Sequence, residues 1–206
     1  LIINLIQKMK KVIVLATYFP PGGGISTFRV TKFVKYLRKY QWEPAVVTVD
    51  EESYKECDFL IDDSLVKDIP DGMHIYRTGL SKRPPILKYS FDNLSTRWLP
   101  VLFSKIKSII KKEKPQLLFA TGDPFFPLLV APFSKILTGL KYVIDLRDPW
   151  KLAIPDRIPK GFRAKMKKPI NNFLEPLVIN RASKIIVVSE EMAKQYRQAY
   201  PKRNAD

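Results

Sequence analysis

Short, wholly apolar runs alternate along this chain with longer stretches in which apolar residues return every three or four positions. The short runs predict buried strands over residues 12–17, 43–50, 73–78, 116–121, 142–146 and 184–188. The longer stretches predict helices. One spans 25–40. A second spans 96–114, where Leu99, Leu102, Phe103, Ile106, Ile109 and Ile110 form one apolar face and Pro115 ends the helix. A third opens at Gly122-Asp123-Pro124 and runs to about 137, and a fourth covers roughly 169–182. Ser189 caps the last, with Glu191 in its first turn. Residues 51–72 read as a polar loop with a helical turn. Residues 79–96, with Pro84-Pro85, read as a mobile loop, and 151–167 as a basic stretch broken by Pro155 and Pro159.

Six strands that are apolar throughout, each followed by a helix, predict an α/β fold. The expected form is a doubly wound, mainly parallel sheet with helices on both faces, in one Rossmann-like domain over residues 1–206. Met9 followed by two lysines reads as a natural start, so residues 1–8 read as upstream sequence. In such folds ligands gather at the carboxyl ends of the strands. The chemically unusual residues fall there: Gly22, Gly23 and Gly24; Thr121, Gly122 and Asp123; Asp145 to Trp150; and Ser189-Glu190.

The stretch KVIVLATYFPPGGGIS joins the first strand to the first helix. A glycine loop ahead of a helix start can cradle a phosphate or carboxylate, because the backbone comes close and the first N–H groups point outward. It can equally do no more than turn the chain. The loop does not fit GxGxxG, and it lacks the Gly-Lys-Ser/Thr of a P-loop. Asp50 ends the second strand, where a dinucleotide-binding domain places its ribose acid, but the accompanying fingerprint is missing.

Asp145-Leu146-Arg147-Asp148-Pro149-Trp150 is the densest polar cluster. One reading is an ion pair that pins the loop, with Trp150 packed beneath. The other is substrate binding, with Arg147 for a phosphate, an aspartate for sugar hydroxyls, and Asp145 or Asp148 as a base. The single histidine, His74, cannot support a triad or a metal cluster, so no metal and no cofactor are expected. Cys57 is the only cysteine, which excludes an internal disulfide and suits a reducing, cytoplasmic setting. No apolar run approaches the roughly 20 residues that span a bilayer. The 36 Lys and Arg against 20 Asp and Glu, a formal charge of +16, suggest a polyanionic partner. Nucleic acid rests on charge alone, without the exposed aromatics of RNA modules, and is not expected. An anionic membrane surface is the expected alternative. The basic stretches 97–114 and 151–168 would be the contacts, with Trp98 or Phe162 dipping into the interface.

Four segments together resemble the N-terminal domain of GT-B fold glycosyltransferases, of the group called glycosyltransferase family four. They are KVIVLATYFPPGGGISTFRVTKFVKYLRKYQWEPAVVT, LLFATGDPFFPLLVA, YVIDLRDPW and ASKIIVVSEEMAKQYR, in the family's order. The resemblance implies two Rossmann-like domains with the active site between them. The first mainly binds the acceptor, a glycan or a lipid-linked glycan, and the second binds a nucleotide-sugar donor. On that carry-over Gly22 to Gly24 face the donor phosphates, and Asp145, Arg147 and Asp148 face the acceptor. Gly122, Asp123, Trp150 and Ser189 join the substrate-binding candidates. The donor-binding half would lie outside these 206 residues, so this chain alone is expected to be inactive. The rivals are a partner module of a split glycosyltransferase and a dinucleotide-dependent oxidoreductase domain.

Overall fold

Six strands pair in the order β3-β2-β1-β4-β5-β6, all parallel. The structure is a computed structural model, and it describes residues 9–82, 93–122, 124–150 and 162–201. The strands are β1 (Lys10–Ala16), β2 (Trp42–Val49), β3 (His74–Thr78), β4 (Leu117–Gly122), β5 (Tyr142–Leu146) and β6 (Lys184–Val187). The α-helices are α1 (Ile25–Leu37), α2 (Glu51–Glu56), α3 (Asn93–Glu113), α4 (Val130–Thr138), α5 (Phe162–Ile179) and α6 (Glu190–Ala199). The expected doubly wound α/β fold is therefore present. The chain steps outward from β1 to β3, then returns across the sheet to β4, so the order reverses between β1 and β4.

The period of two along β1 explains the layers. Val12, Val14 and Ala16 face Val30 and Val34 of α1 in one cluster. Ile13 and Leu15 face the opposite side, where α3, α4, α5 and α6 build the larger cluster around Trp98, Leu102, Leu118 and Ile144. Among the described residues, α1 is the one helix contributing to the smaller cluster, and Val143 and Ile186 at its margin stay partly exposed.

Several boundaries differ from expectation. Residues 51–72 hold more structure than a loop: Asp50 caps α2 by accepting from Ser53 N at 2.9 Å, and a 3-10 turn covers Asp63–Asp68. α3 starts at Asn93 and carries Pro100 at its eighth position, inside the helix, where one i→i−4 bond is lost. After Gly122 a 3-10 turn, Phe126–Leu129, precedes α4. α5 begins at Phe162, not near 169, and runs through Pro169 and Pro176. Most of the loop expected over 79–96 and the stretch 151–161 lie outside the described residues.

At the amino edge of the sheet, Glu113 at the end of α3 is 3% exposed. It accepts from Lys11 Nζ at 3.1 Å and pairs with His74 Nδ1 at 2.7 Å; the Tyr76 hydroxyl also donates to it. One carboxylate thus ties β1, β3 and α3 together, and His74 has a structural partner. No helix among the described residues is long and apolar enough to cross a membrane. Trp98 is fully buried and donates to Thr78 Oγ1 at 2.7 Å, so it cannot dip into a membrane interface.

Candidate functional site

The loop leaving β1 is braced from below. The Tyr54 hydroxyl, fully buried, donates to Thr17 O at 2.7 Å and accepts from Phe19 N at 3.1 Å. Burial raises this phenol above its usual range, which keeps it neutral and able to donate. The glycines then divide into two kinds. Gly22 N donates to Phe19 O at 2.9 Å and Gly23 N to Leu60 O at 2.8 Å. A Cβ at Gly22 would stand 2.9 Å from the Tyr54 ring, and one at Gly23 would stand 2.9 Å from the Leu60 side chain. These two are buried packing glycines whose N–H groups are already used, so they do not line an open cleft as expected. Gly24 differs: its φ of +88° requires glycine, and nothing lies within 4 Å of the space a side chain would fill. The N–H groups of Gly24, Ile25 and Ser26 have no partner among the described residues, as befits a helix start.

Asp145 is the most enclosed member of the β5 cluster, with no exposed side-chain surface. It accepts from Arg29 Nε at 3.0 Å and Arg29 Nη2 at 2.6 Å, and from Thr121 Oγ1 at 2.9 Å. The bond to Asp145 raises the Arg29 guanidinium further above its ordinary value. A carboxylate with both oxygens engaged inside the domain is not the exposed base or hydroxyl acceptor expected. Asp145 is instead the anchor that fixes α1 against β4 and β5. Arg147 reaches the loop: its Nε donates to Gly122 O at 3.1 Å and its Nη1 to Ser26 Oγ. Asp148, next in the chain, is exposed.

The remaining candidates are structural or undescribed. Trp150 is buried, stacks on Phe125 at 5.1 Å and donates to Asn171 Oδ1 at 3.2 Å. Ser189 Oγ accepts from Met192 N at 3.2 Å, the cap the sequence predicts. A Cβ at Gly122 would meet Leu128 at 3.0 Å, so that glycine packs the 3-10 turn onto β4. Asp123 lies outside the described residues. Asp50, at the end of β2, caps α2. Among the described residues no group of three metal-ligating side chains exists.

One surface carries Gly24, the first N–H groups of α1, the exposed Asp148, and Arg147 with its guanidinium bonded to Gly122 O and Ser26 Oγ. They form an electropositive notch with one carboxylate at its rim, at the point where the strand order reverses. Arg29 and Ser26 were missed from the sequence. The available signal was a cation on the second turn of a helix, close to the end where the macrodipole disfavours it.

A family model described as Glycosyltransferase Family 4 matches residues 22–205. Sucrose-phosphate synthase from Thermosynechococcus elongatus shares the fold with a TM-score of 0.59 at 14% identity, over 96% of this chain and 45% of that one. A ugt transferase from Siraitia grosvenorii, solved in complex with UDP, gives 0.52 at 11% identity, over 94% and 49%. UDP-GlcNAc 2-epimerase from Methanocaldococcus jannaschii gives 0.51 at 12% identity, over 95% and 44%. This chain thus spans somewhat less than half the length of these three structures. No protein of curated function matches by sequence. The strand order, the notch at its reversal and the family match over nearly the whole chain agree: this is a Rossmann-like domain of the GT-B type, and the chain belongs to glycosyltransferase family 4.

Proposed function

We propose that the chain is the acceptor-binding half of a sugar-nucleotide-dependent glycosyltransferase. It would be of the retaining kind and act in polysaccharide, cell-surface or lipid-linked glycan synthesis on the cytoplasmic side of a membrane. The observation that carries this reading is the notch itself: Gly24 opens on free space beside unpartnered helix N–H groups, and Arg147 is held against Ser26 at the same spot. Backbone donors and a guanidinium suit anionic oxygens of a donor that enters from the opposite side of a cleft. The exposed Asp148 carboxylate suits acceptor hydroxyls. The Asp145–Arg29 pair positions both by locking β5 to α1. The UDP held by the Siraitia structure supports a nucleotide-sugar donor, and the lengths of the matched structures support a second domain to bind it.

The test is label transfer from a panel of sugar nucleotides, using protein made from the complete coding region. Arg147→Ala is expected to lower kcat/KM about a hundredfold, the scale of losing one well-placed donor. Its melting temperature should stay close to wild type, and Arg147→Lys should recover part of the activity. A wild-type protein that turns over none of the sugar nucleotides, or an Arg147→Ala protein as active as wild type, would sink the reading.

A further inference from the structure

Turned away from the sheet, α1 and the 3-10 turn that follows it show an unusual surface. Phe28, Lys32, Tyr36 and Tyr40 repeat at four-residue spacing and all are exposed, Tyr40 by 75%. Ile25 at the helix start is 85% exposed, and Val188 beside it 53%. Between Ile25 and Gln41 the sequence holds five cations and no acid. Three of the rings on this side already sit under a cation. Arg29 lies 5.1 Å from the Phe33 ring, Lys39 5.0 Å from Tyr36, and Lys10 5.6 Å from Trp42. The surface is concave, a groove of about 1330 Å³ that runs along α1 from Arg147 to Trp42.

We propose that this outward face of α1 is a membrane-docking surface that seats on a bilayer containing anionic lipid. Rings with an ammonium above them, Tyr36 under Lys39 and Trp42 under Lys10, match the bilayer interface, where the ring lies at headgroup depth and the cation meets lipid phosphate; Arg29 is held by Asp145 and takes no part. Charge complementarity selects anionic lipid: Arg29 and Arg38 are paired with Asp145 and Glu43, but Lys32, Lys35 and Lys39 form no ion pair among the described residues, against Asp148 as the one acid that lines the groove. The aliphatic Ile25 and Val188 favour a membrane over a nucleic acid, because they have nothing to stack on and gain from hydrocarbon. Docking here differs from docking through the lysines of α3, whose aromatic neighbour Trp98 is buried. It would also bring the start of α1, and the notch beside it, to the level of the headgroups. The inference goes beyond the catalytic reading and does not need it: a protein that binds vesicles but transfers no sugar would keep this proposal and lose the other.

The three tryptophans make a direct test possible. Trp98 and Trp150 are buried in the core, while Trp42 lines the groove. Vesicles of phosphatidylcholine and phosphatidylglycerol, with bromine on the acyl chains, should quench part of the fluorescence of the full chain at low salt. Pure phosphatidylcholine should not. Trp42→Phe should abolish the quenching without abolishing binding. Phe28→Ser/Tyr36→Ser/Tyr40→Ser should reduce co-sedimentation about tenfold, while Lys105→Glu/Lys111→Glu on α3 should change it little. No binding at low salt, binding without quenching of Trp42, or tighter retention by single-stranded RNA than by vesicles would each overturn the proposal. So would self-association that the triple variant abolishes in the absence of lipid.

Discussion

Asp145 is sealed from solvent, whereas its partner Arg29 keeps 31% of its side chain exposed. That asymmetry makes the two deletions unequal. Arg29→Ala strands a buried carboxylate with only Thr121 to satisfy it, and urea unfolding should show a loss of about 3–5 kcal/mol. Asp145→Asn leaves a guanidinium that can turn to water, so the loss should be smaller, about 1–3 kcal/mol. Equal losses would contradict the burial pattern. The glycines separate in the same way. Gly23→Val drives a side chain into Leu60 and should destabilise by about 1–3 kcal/mol through overpacking. Gly24→Ala meets no atom, so the strain of its positive φ, again about 1–3 kcal/mol, is its only conformational effect. On the proposed function, the added methyl should then reduce sugar transfer by protein made from the complete coding region by more than the stability loss explains. If both variants fold poorly and neither alters turnover, the notch is not at Gly24. The sequence showed three adjacent glycines and an acid within an apolar strand. It could not show that Leu60 and Tyr54 fill the space beside two of the glycines. Nor could it show that the acid pairs with Arg29, which lies 116 residues away in sequence.

At the scale of elements, the amino edge depends on Glu113, where α3 meets β1 and β3. Burial alone would raise this carboxyl, but hydrogen bonds from Tyr76, His74 and Lys11 outweigh it and hold it below its ordinary value of 4.5. A carboxyl lowered on folding stabilises above its unfolded value, and that contribution is lost as pH falls through the folded one. Wild type should therefore lose more stability than Glu113→Gln as the pH is lowered from about 5 to about 3, and the two melting curves should converge in acid. Melting temperatures that stay parallel across that window would remove Glu113 from the account. The central strands were legible here because composition and burial agree: β1, β2, β4 and β5 are largely apolar and buried, whereas the edge strands β3 and β6 are only partly buried and begin on exposed His74 and Lys184. The helix ends were less so. Proline reads as a breaker, yet α5 runs through Pro169 and Pro176, its packing through Val178 and Ile179 overriding local preference. The acidic stretch after β2 read as loop with no more than a helical turn because α2 is a six-residue helix, too short for a periodic signal.

For the whole molecule, the strand order places β1, β4 and β5 side by side, so three loops distant in sequence converge at one edge. The doubly wound architecture was readable from the strand–helix rhythm, and the edge that carries the site follows from it. The division of labour within that edge was not, because it depends on which polar groups are already satisfied. Trp150, Ser189, Asp145 and Arg147 all make bonds within the domain, while Gly24 and the α1 start border the open space. Hydrogen–deuterium exchange on protein made from the complete coding region tests this most directly. In the free protein the amides of Gly24, Ile25 and Ser26 should exchange rapidly, since nothing among the described residues accepts from them. A bound sugar nucleotide that accepts from these amides should slow them at least about tenfold and leave the Glu113 edge unchanged. Catalytic turnover with no protection at residues 24–26 would contradict the account, and the site would have to be sought elsewhere.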